Sequence, residues 1–211
     1  MEETIKCEII KGEDIIPDIS YKIIVIGEAF VGKSCLMIRA VKNEYREDYE
    51  VTIGADSSSL LVKINSKTVE LQIWDTAGTE KFRSMIRVFF NNCNAAFLVY
   101  DITREATFQA LDFWLKMLRD NTGPETKVIL VGNKKDEETK RQVSYEEGKK
   151  FAEKNKLFEF METSAKTGEG VLEVFKKVAK SLYVDIKDGE ESPRKRLRLS
   201  KQIRKEEINC C

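Results

Sequence analysis

The run Gly27–Ser34, GEAFVGKS, constrains this chain of 211 residues more than any other feature. It matches G-x-x-x-x-G-K-[ST] at every fixed position, and a chance match in this length arises only about once in a hundred chains. Gly27 lets the chain turn sharply off a strand, and Gly32 lets the backbone come close to a phosphate. Consecutive amides over Glu28, Ala29, Phe30, Val31 and Gly32, and on through Lys33, Ser34 and Cys35, then face phosphate oxygens at the start of a helix. Lys33 supplies charge to the β- and γ-phosphates, and the Ser34 hydroxyl is placed to ligate Mg²⁺. The loop needs a strand before it and a helix after it. Tyr21–Ile26 (YKIIVI) reads as a buried strand and Gly32–Val41 as the helix.

The chain beyond the loop repeats that alternation. Leu60–Ile64 and Thr68–Trp74 form a predicted hairpin with Asn65-Ser66 at its turn, and Ala95–Tyr100, Lys127–Val131 and Phe158–Met161 are further compact apolar runs. Helix-period segments lie between them at about 104–120, 144–155 and 169–184, and in the first Phe108, Leu111, Trp114, Leu115 and Leu118 make one apolar stripe. Strands alternating with helices predict an α/β domain with a mostly parallel sheet covered on both faces. The expected layout is an N-terminal extension at 1–20, one domain at 21–184 and a tail at 185–211.

Composition narrows the chemistry. No histidine is present, which removes histidine triads, histidine metal sites and the usual near-neutral proton shuttle. The five cysteines are odd in number and lack metal-ligand pairing in the body, so a secreted disulfide framework is not expected. Cys35 and Cys93 read as packing residues. The first twenty residues hold no signal-peptide core, Glu2 excludes a myristoylation signal, and the apolar runs are too short to span a bilayer. Lys+Arg and Asp+Glu number 36 each, so net charge names no partner and no nucleic-acid partner is expected.

A phosphate loop does not choose the base, and ATPases and nucleotide kinases carry one too. Asn133–Asp136 (NKKD) follows the strand at 127–131, and an aspartate there accepts from both N1–H and the 2-amino group of guanine. Thr163–Lys166 (TSAK) follows the next apolar run, which places Ser164, Ala165 and Lys166 over the base. Asp75–Gly78 (DTAG) suits an Asp75 that holds Mg²⁺ through water and a Gly78 amide facing the γ-phosphate. Four such elements in order at strand ends, the ligand edge of open α/β sheets, favour guanine nucleotide over the ATPase or kinase reading.

At this point the chain resembles a Rab-type member of the Ras-like small GTPases, over about Tyr21 to Tyr183 plus the terminal Cys210-Cys211. Thr52-Ile53-Gly54, LQIWDTAG, KFRS at Lys81–Ser84, VYDIT at 99–103, NKKD and ETSAK carry the likeness. The resemblance implies the P-loop small GTPase fold: a mostly parallel six-stranded sheet with one antiparallel edge strand. It implies GTP/GDP and Mg²⁺ as ligands. Thr52 becomes the switch threonine that closes over Mg²⁺ and the γ-phosphate, Tyr45 the aromatic at the guanine ring, and Lys134 the flank of its other face. Ile53, Ser57, Trp74 and Phe89 fall on the effector surface. Implied partners are effectors, an exchange factor, a GTPase-activating protein and a prenyl-dependent escort of the GDI type, around a monomer.

The departures are specific. Thr79 stands where the family carries the glutamine that orients the attacking water, which predicts slow intrinsic hydrolysis. Activating partners of this class bring their own glutamine and arginine, so hydrolysis in trans is compatible with Thr79. Ala29 and Phe30 add bulk in the phosphate loop, and Phe30 stands where glycine adopts a strained turn at low cost. Ser57 replaces a phenylalanine of the aromatic effector triad, which predicts weak binding to typical Rab effectors. The competing reading is a hydrolysis-deficient, constitutively GTP-bound binding module.

The tail changes character. Arg194–Lys205 holds seven basic residues, three aliphatics and no acidic residue, a composition expected to stay unfolded alone. By the resemblance Cys210 and Cys211 are prenylated, and two lipid chains or one chain plus basic residues give stable anchoring. Arg194–Arg198 also has the look of a nuclear import signal, but the expected location is the cytoplasmic face of an intracellular membrane, with a cytosolic pool.

Overall fold

The structure is a computed structural model that describes residues 5–12, 15–45, 52, 55–76 and 87–187. Its strands are β1 (Cys7–Ile10), β2 (Ile19–Ile26), β3 (Ala55–Ile64), β4 (Lys67–Thr76), β5 (Ala95–Asp101), β6 (Lys127–Asn133) and β7 (Glu159–Glu162). The helices are α1 (Lys33–Lys42), α2 (Glu105–Gln109), α3 (Leu111–Arg119), α4 (Tyr145–Lys154) and α5 (Val171–Lys187), with 3₁₀ turns at Arg87–Phe90 and Lys135–Lys140. The strands form one sheet in the order β1-β3-β4-β2-β5-β6-β7. Pairings from β4 through β2, β5, β6 and β7 are parallel, while β3–β4 and β1–β3 are antiparallel.

The α/β class and the mostly parallel sheet are as the sequence predicts, but the sheet has seven strands rather than six. The added strand comes from the N-terminal segment. It pairs Cys7 with Ile64 and Ile10 with Leu61, and its Cys7 and Ile9 pack against the main core. Four residues among charges carry no strand signal of their own; their partner is β3, more than fifty residues on. Other boundaries move by a few residues. β2 starts at Ile19 rather than Tyr21, and the predicted helix at 104–120 is two helices joined at Ala110. Ala110 keeps helical angles (φ −73°, ψ −9°), so the apolar stripe runs on unbroken.

Alternation along the central strands explains the two-sided core. Ile23, Val25, Phe97 and Val99 face α1 and α5 with Leu36, Phe175 and Leu182. Ile24, Ile26, Leu98 and Tyr100 face the other way, against Trp114, Leu118 and Phe160. A period of two with both faces apolar requires helices on both sides. β2, β4, β5 and β6 are thereby buried to their C-terminal ends, and the motifs sit at or just past the strand ends. α4 shows local encoding at its sharpest. Ser144 and Glu147 cap it reciprocally, with the Glu147 amide donating to Ser144 Oγ and the Ser144 amide to Glu147 Oε2.

Candidate functional site

The phosphate loop runs from the end of β2 into α1. Gly27 has φ 143°, and a Cβ there would lie 2.2 Å from the Val99 carbonyl oxygen. Gly32 has φ 92°, and a Cβ there would lie 2.4 Å from Asn133 Nδ2. Both glycines are therefore obligatory for backbone angle and for space. Phe30 also adopts the left-handed region, at φ 63°, with its ring 66% exposed. A phenylalanine in that conformation costs about 1–2 kcal/mol that glycine avoids.

Lys33 is buried, and its ammonium donates to the Gly27 carbonyl at 3.0 Å and the Glu28 carbonyl at 2.8 Å. Burial pulls its pKa down to about 8, with the charges of Asp75 and Glu28 working in the opposite direction. A buried cation held by neutral carbonyls is a poised anion receptor.

Next to it, the Ser34 hydroxyl donates to Asp75 Oδ2 at 2.5 Å and lies 2.9 Å from Thr52 Oγ1. Thr52 Oγ1 is in turn 3.2 Å from Asp75 Oδ2. Burial raises the Asp75 pKa, opposed by the Ser34 hydrogen bond and the Lys33 charge. Asp75 Oδ1 is buried and has no hydrogen-bond partner among the described residues. Two hydroxyls and one carboxylate, whose Oδ1 is spare, form a hard-oxygen donor set that fits Mg²⁺. No group of three acidic, cysteine or histidine residues among the described residues could hold an ion alone, so phosphate and water oxygens must complete its shell.

At the far end, Asn133 ties three loops together. Its Nδ2 donates to the Val31 carbonyl at 2.9 Å, and its Oδ1 accepts from Thr163 Oγ1 and from the Ala165 amide, each at 3.2 Å. Ser164 Oγ donates to Asp136 Oδ1 at 2.6 Å, which fixes the carboxylate beside Ser164, Ala165 and Lys166. Lys134 turns the chain in the left-handed region, at φ 70°, and its ammonium lies 2.7 Å from Asp101 Oδ2. Tyr45, partly buried, follows α1. The described candidates Gly27 to Cys35, Asp75, Asn133, Lys134, Asp136 and Ser164 to Lys166 thus lie at or just past the C-terminal ends of β2, β4, β6 and β7, and Thr52, ahead of β3, reaches Asp75. Gly78 and Thr79 lie outside the described residues.

Sequence reasoning missed the residues that hold these loops. Arg39 on α1 donates to the Ala165 carbonyl at 2.9 Å and the Lys166 carbonyl at 2.7 Å. Arg104 donates to the Ala29 carbonyl and to Asp101. Trp114 Nε1 donates to Glu28 Oε1 at 2.9 Å, so a residue read as core also braces the phosphate loop. Apart from Asp101, three residues before Arg104, their partners are backbone carbonyls or distant side chains that no spacing in the chain announces.

A sequence model described as the Ras family matches residues 22–184. This chain belongs to the Ras family. Ras-related protein Rab-4B of Rattus norvegicus, of Homo sapiens and of Mus musculus is in each case 45% identical over 176 residues, covering 83% of this chain and 82% of the relative. This Ras-family chain is a Rab-type small GTPase that binds GTP and GDP with Mg²⁺, hydrolyses GTP and regulates vesicle traffic. The permanently GTP-bound alternative is not favoured. Effectors, exchange factors, activating proteins and GDI-type escorts are its general classes of partner, and intracellular membranes its general setting.

On the face of the sheet beside this site, Ser57 of β3 is exposed and stands directly opposite Trp74 of β4. The Trp74 and Phe89 rings are 5.4 Å apart, and Lys22 Nζ lies 4.9 Å from the Trp74 ring centroid. The two aromatic rings are in contact, and Ser57 faces Trp74 across the strand pair. Ile53, Cys210 and Cys211 lie outside the described residues.

Proposed function

We propose that this Ras-family switch reads guanine through Asp136, grips the phosphates through Lys33 and the loop Gly27–Cys35, and turns over slowly unaided. The observation that carries the reading is Asn133, whose amide binds the phosphate loop and the Ala165 loop together. Base recognition and phosphate recognition are thereby one rigid unit. Tyr45 and Lys134 flank the ring, and Ser164, Ala165 and Lys166 line it.

Magnesium, when bound, neutralises charge on the β- and γ-phosphate oxygens. The protein supplies the rest. Ser34 and Thr52 present hydroxyls, and Asp75 holds both with one carboxylate oxygen while the other stays available. Lys33 offers a buried ammonium whose loop carbonyls yield to a stronger acceptor, an anionic phosphate. The family resemblance assigns the Gly78 amide to the γ-phosphate. Thr79 offers a hydroxyl too short to orient water as a glutamine does, so the unassisted chemical step is slow.

The chain works as a monomer with one GTPase domain, to whose sheet the N-terminal segment contributes β1, and a basic tail after α5. Prenyl groups on Cys210 and Cys211 hold it at the cytoplasmic face of an intracellular membrane, and an escort withdraws it to the cytosol. Ile53, Ser57, Trp74 and Phe89 meet effectors. Single-turnover hydrolysis of preloaded GTP tests the slow step. Thr79→Gln is expected to speed it by about tenfold or more. Equal rates for the two proteins would overturn the assignment.

A further inference from the structure

The guanidinium of Arg104 joins two loops that the motifs leave separate. Its Nη2 donates to the Ala29 carbonyl at 3.0 Å, and its Nε donates to Asp101 Oδ2 at 2.9 Å. Asp101 is fully buried at the end of β5 and is itself held by the Thr103 amide at 2.9 Å and the Thr103 hydroxyl at 2.7 Å. The same Asp101 Oδ2 takes the Lys134 ammonium at 2.7 Å. The anchor is therefore rigid and shared between the phosphate loop and the base-reading loop. Ala29, the residue gripped, immediately precedes Phe30, a non-glycine residue in the left-handed region at φ 63° with an exposed ring. With Phe30 66% exposed, its side chain has little packing with which to hold the turn in place.

We propose that Arg104 is a positioning residue, a clamp that holds the strained Ala29–Phe30 turn of the phosphate loop in its nucleotide-ready shape. A backbone turn that its residue disfavours persists only where surrounding contacts over-determine it. The fixed fork of a guanidinium can reach a carbonyl and a carboxylate at once, which an ammonium on a flexible stem does not reproduce. Removing the clamp lets the turn relax, scatters the amides that face the phosphates and speeds nucleotide release. The clamp rests on the guanine-nucleotide reading above and adds to it the residue that keeps a phenylalanine tolerable in the loop.

The test is a double-mutant cycle on the release rate of fluorescently labelled GDP from the full chain with Mg²⁺, using wild type, Arg104→Ala, Phe30→Gly and the double variant. Arg104→Ala is expected to speed release by about tenfold in the wild-type background and by less than about threefold beside Phe30→Gly, because glycine needs no clamp. Arg104→Lys is expected to release as fast as Arg104→Ala, although it keeps the charge. Arg104 is partly exposed, and circular dichroism checks that each variant is folded. Equal acceleration in both backgrounds, no acceleration, or full rescue by lysine would each overturn the clamp. Failure of the wild-type chain to bind GDP at all would overturn the nucleotide reading and the clamp with it.

Discussion

Asn133 on β6 and Val31 in the phosphate loop stand 102 positions apart and are joined by a buried hydrogen bond from Asn133 Nδ2 to the Val31 carbonyl at 2.9 Å. The other end of the same amide takes the Ala165 amide. Asn133→Ala leaves the Val31 carbonyl and the Ala165 amide buried and short of a partner. It is expected to cost about 2 kcal/mol and to lower the melting temperature by roughly 4–8 °C. Phosphate grip and base grip should weaken together, read as GDP release and thermal unfolding of the same variant. An unchanged melting temperature would contradict the hub.

Asp101 offers a pH test. Burial pushes its carboxyl up, but hydrogen bonds from Lys134 and Thr103 outweigh burial and leave the pKa below the ordinary value. A depressed carboxylate contributes stability above the unfolded pKa of about 3.9 and loses it as pH falls through the folded value. Asp101→Asn is therefore expected to cost about 2–3 kcal/mol from neutral pH down to about 5, with the gap to wild type closing below about pH 4. Urea denaturation across that range measures it. A gap that widens with acid would contradict the assignment.

Ser57 stands opposite Trp74, where the proposed effector surface would carry an aromatic. Ser57→Phe should create an anchor worth about 2 kcal/mol, roughly thirtyfold in Kd, toward broadly binding Rab effector domains in the GTP form. Wild type binding such a panel as tightly as the variant does would contradict this.

The β1 strand is integral to the sheet. It adds Cys7 and Ile9 to the core and a ladder with β3. Deleting residues 1–12 should destabilise the fold by about 2–3 kcal/mol from lost apolar burial, a fall of roughly 4–12 °C in melting temperature. A deletion without thermal effect would contradict that role.

Residues whose chemistry is local were legible in the sequence. Gly27, Gly32, Lys33 and Ser34 sit at fixed spacing because a strand, a tight turn and a helix must follow one another at a phosphate. Asp75, Asn133 and Asp136 were found because strand ends in an open α/β sheet point to one edge. The apolar alternation of Ile23 to Ile26 and of Phe97 to Tyr100 told equally well that helices cover both faces. Contacts between segments distant in sequence were not legible. Arg39 and Arg104 donate to backbone carbonyls, which every residue owns, so no residue type marks the acceptor. Phe30 read as an oddity in the sequence. Its left-handed backbone is as the motif position suggests, but the adjacent arginine grip emerges only in three dimensions. The strand at Cys7–Ile10 was missed for the same reason, since its hydrogen-bond partner is Leu61–Ile64.

On the proposed reading, Asp136, held by Ser164, recognises guanine while Lys33 takes the phosphates. Competitive displacement of labelled GDP from the Mg²⁺-supplied chain by unlabelled GDP and by ADP tests it most directly. A site built to hydrogen-bond one base rejects the other strongly, so GDP should compete at concentrations roughly a thousandfold or more below those needed for ADP. Displacement by ADP within about tenfold of GDP would contradict the account.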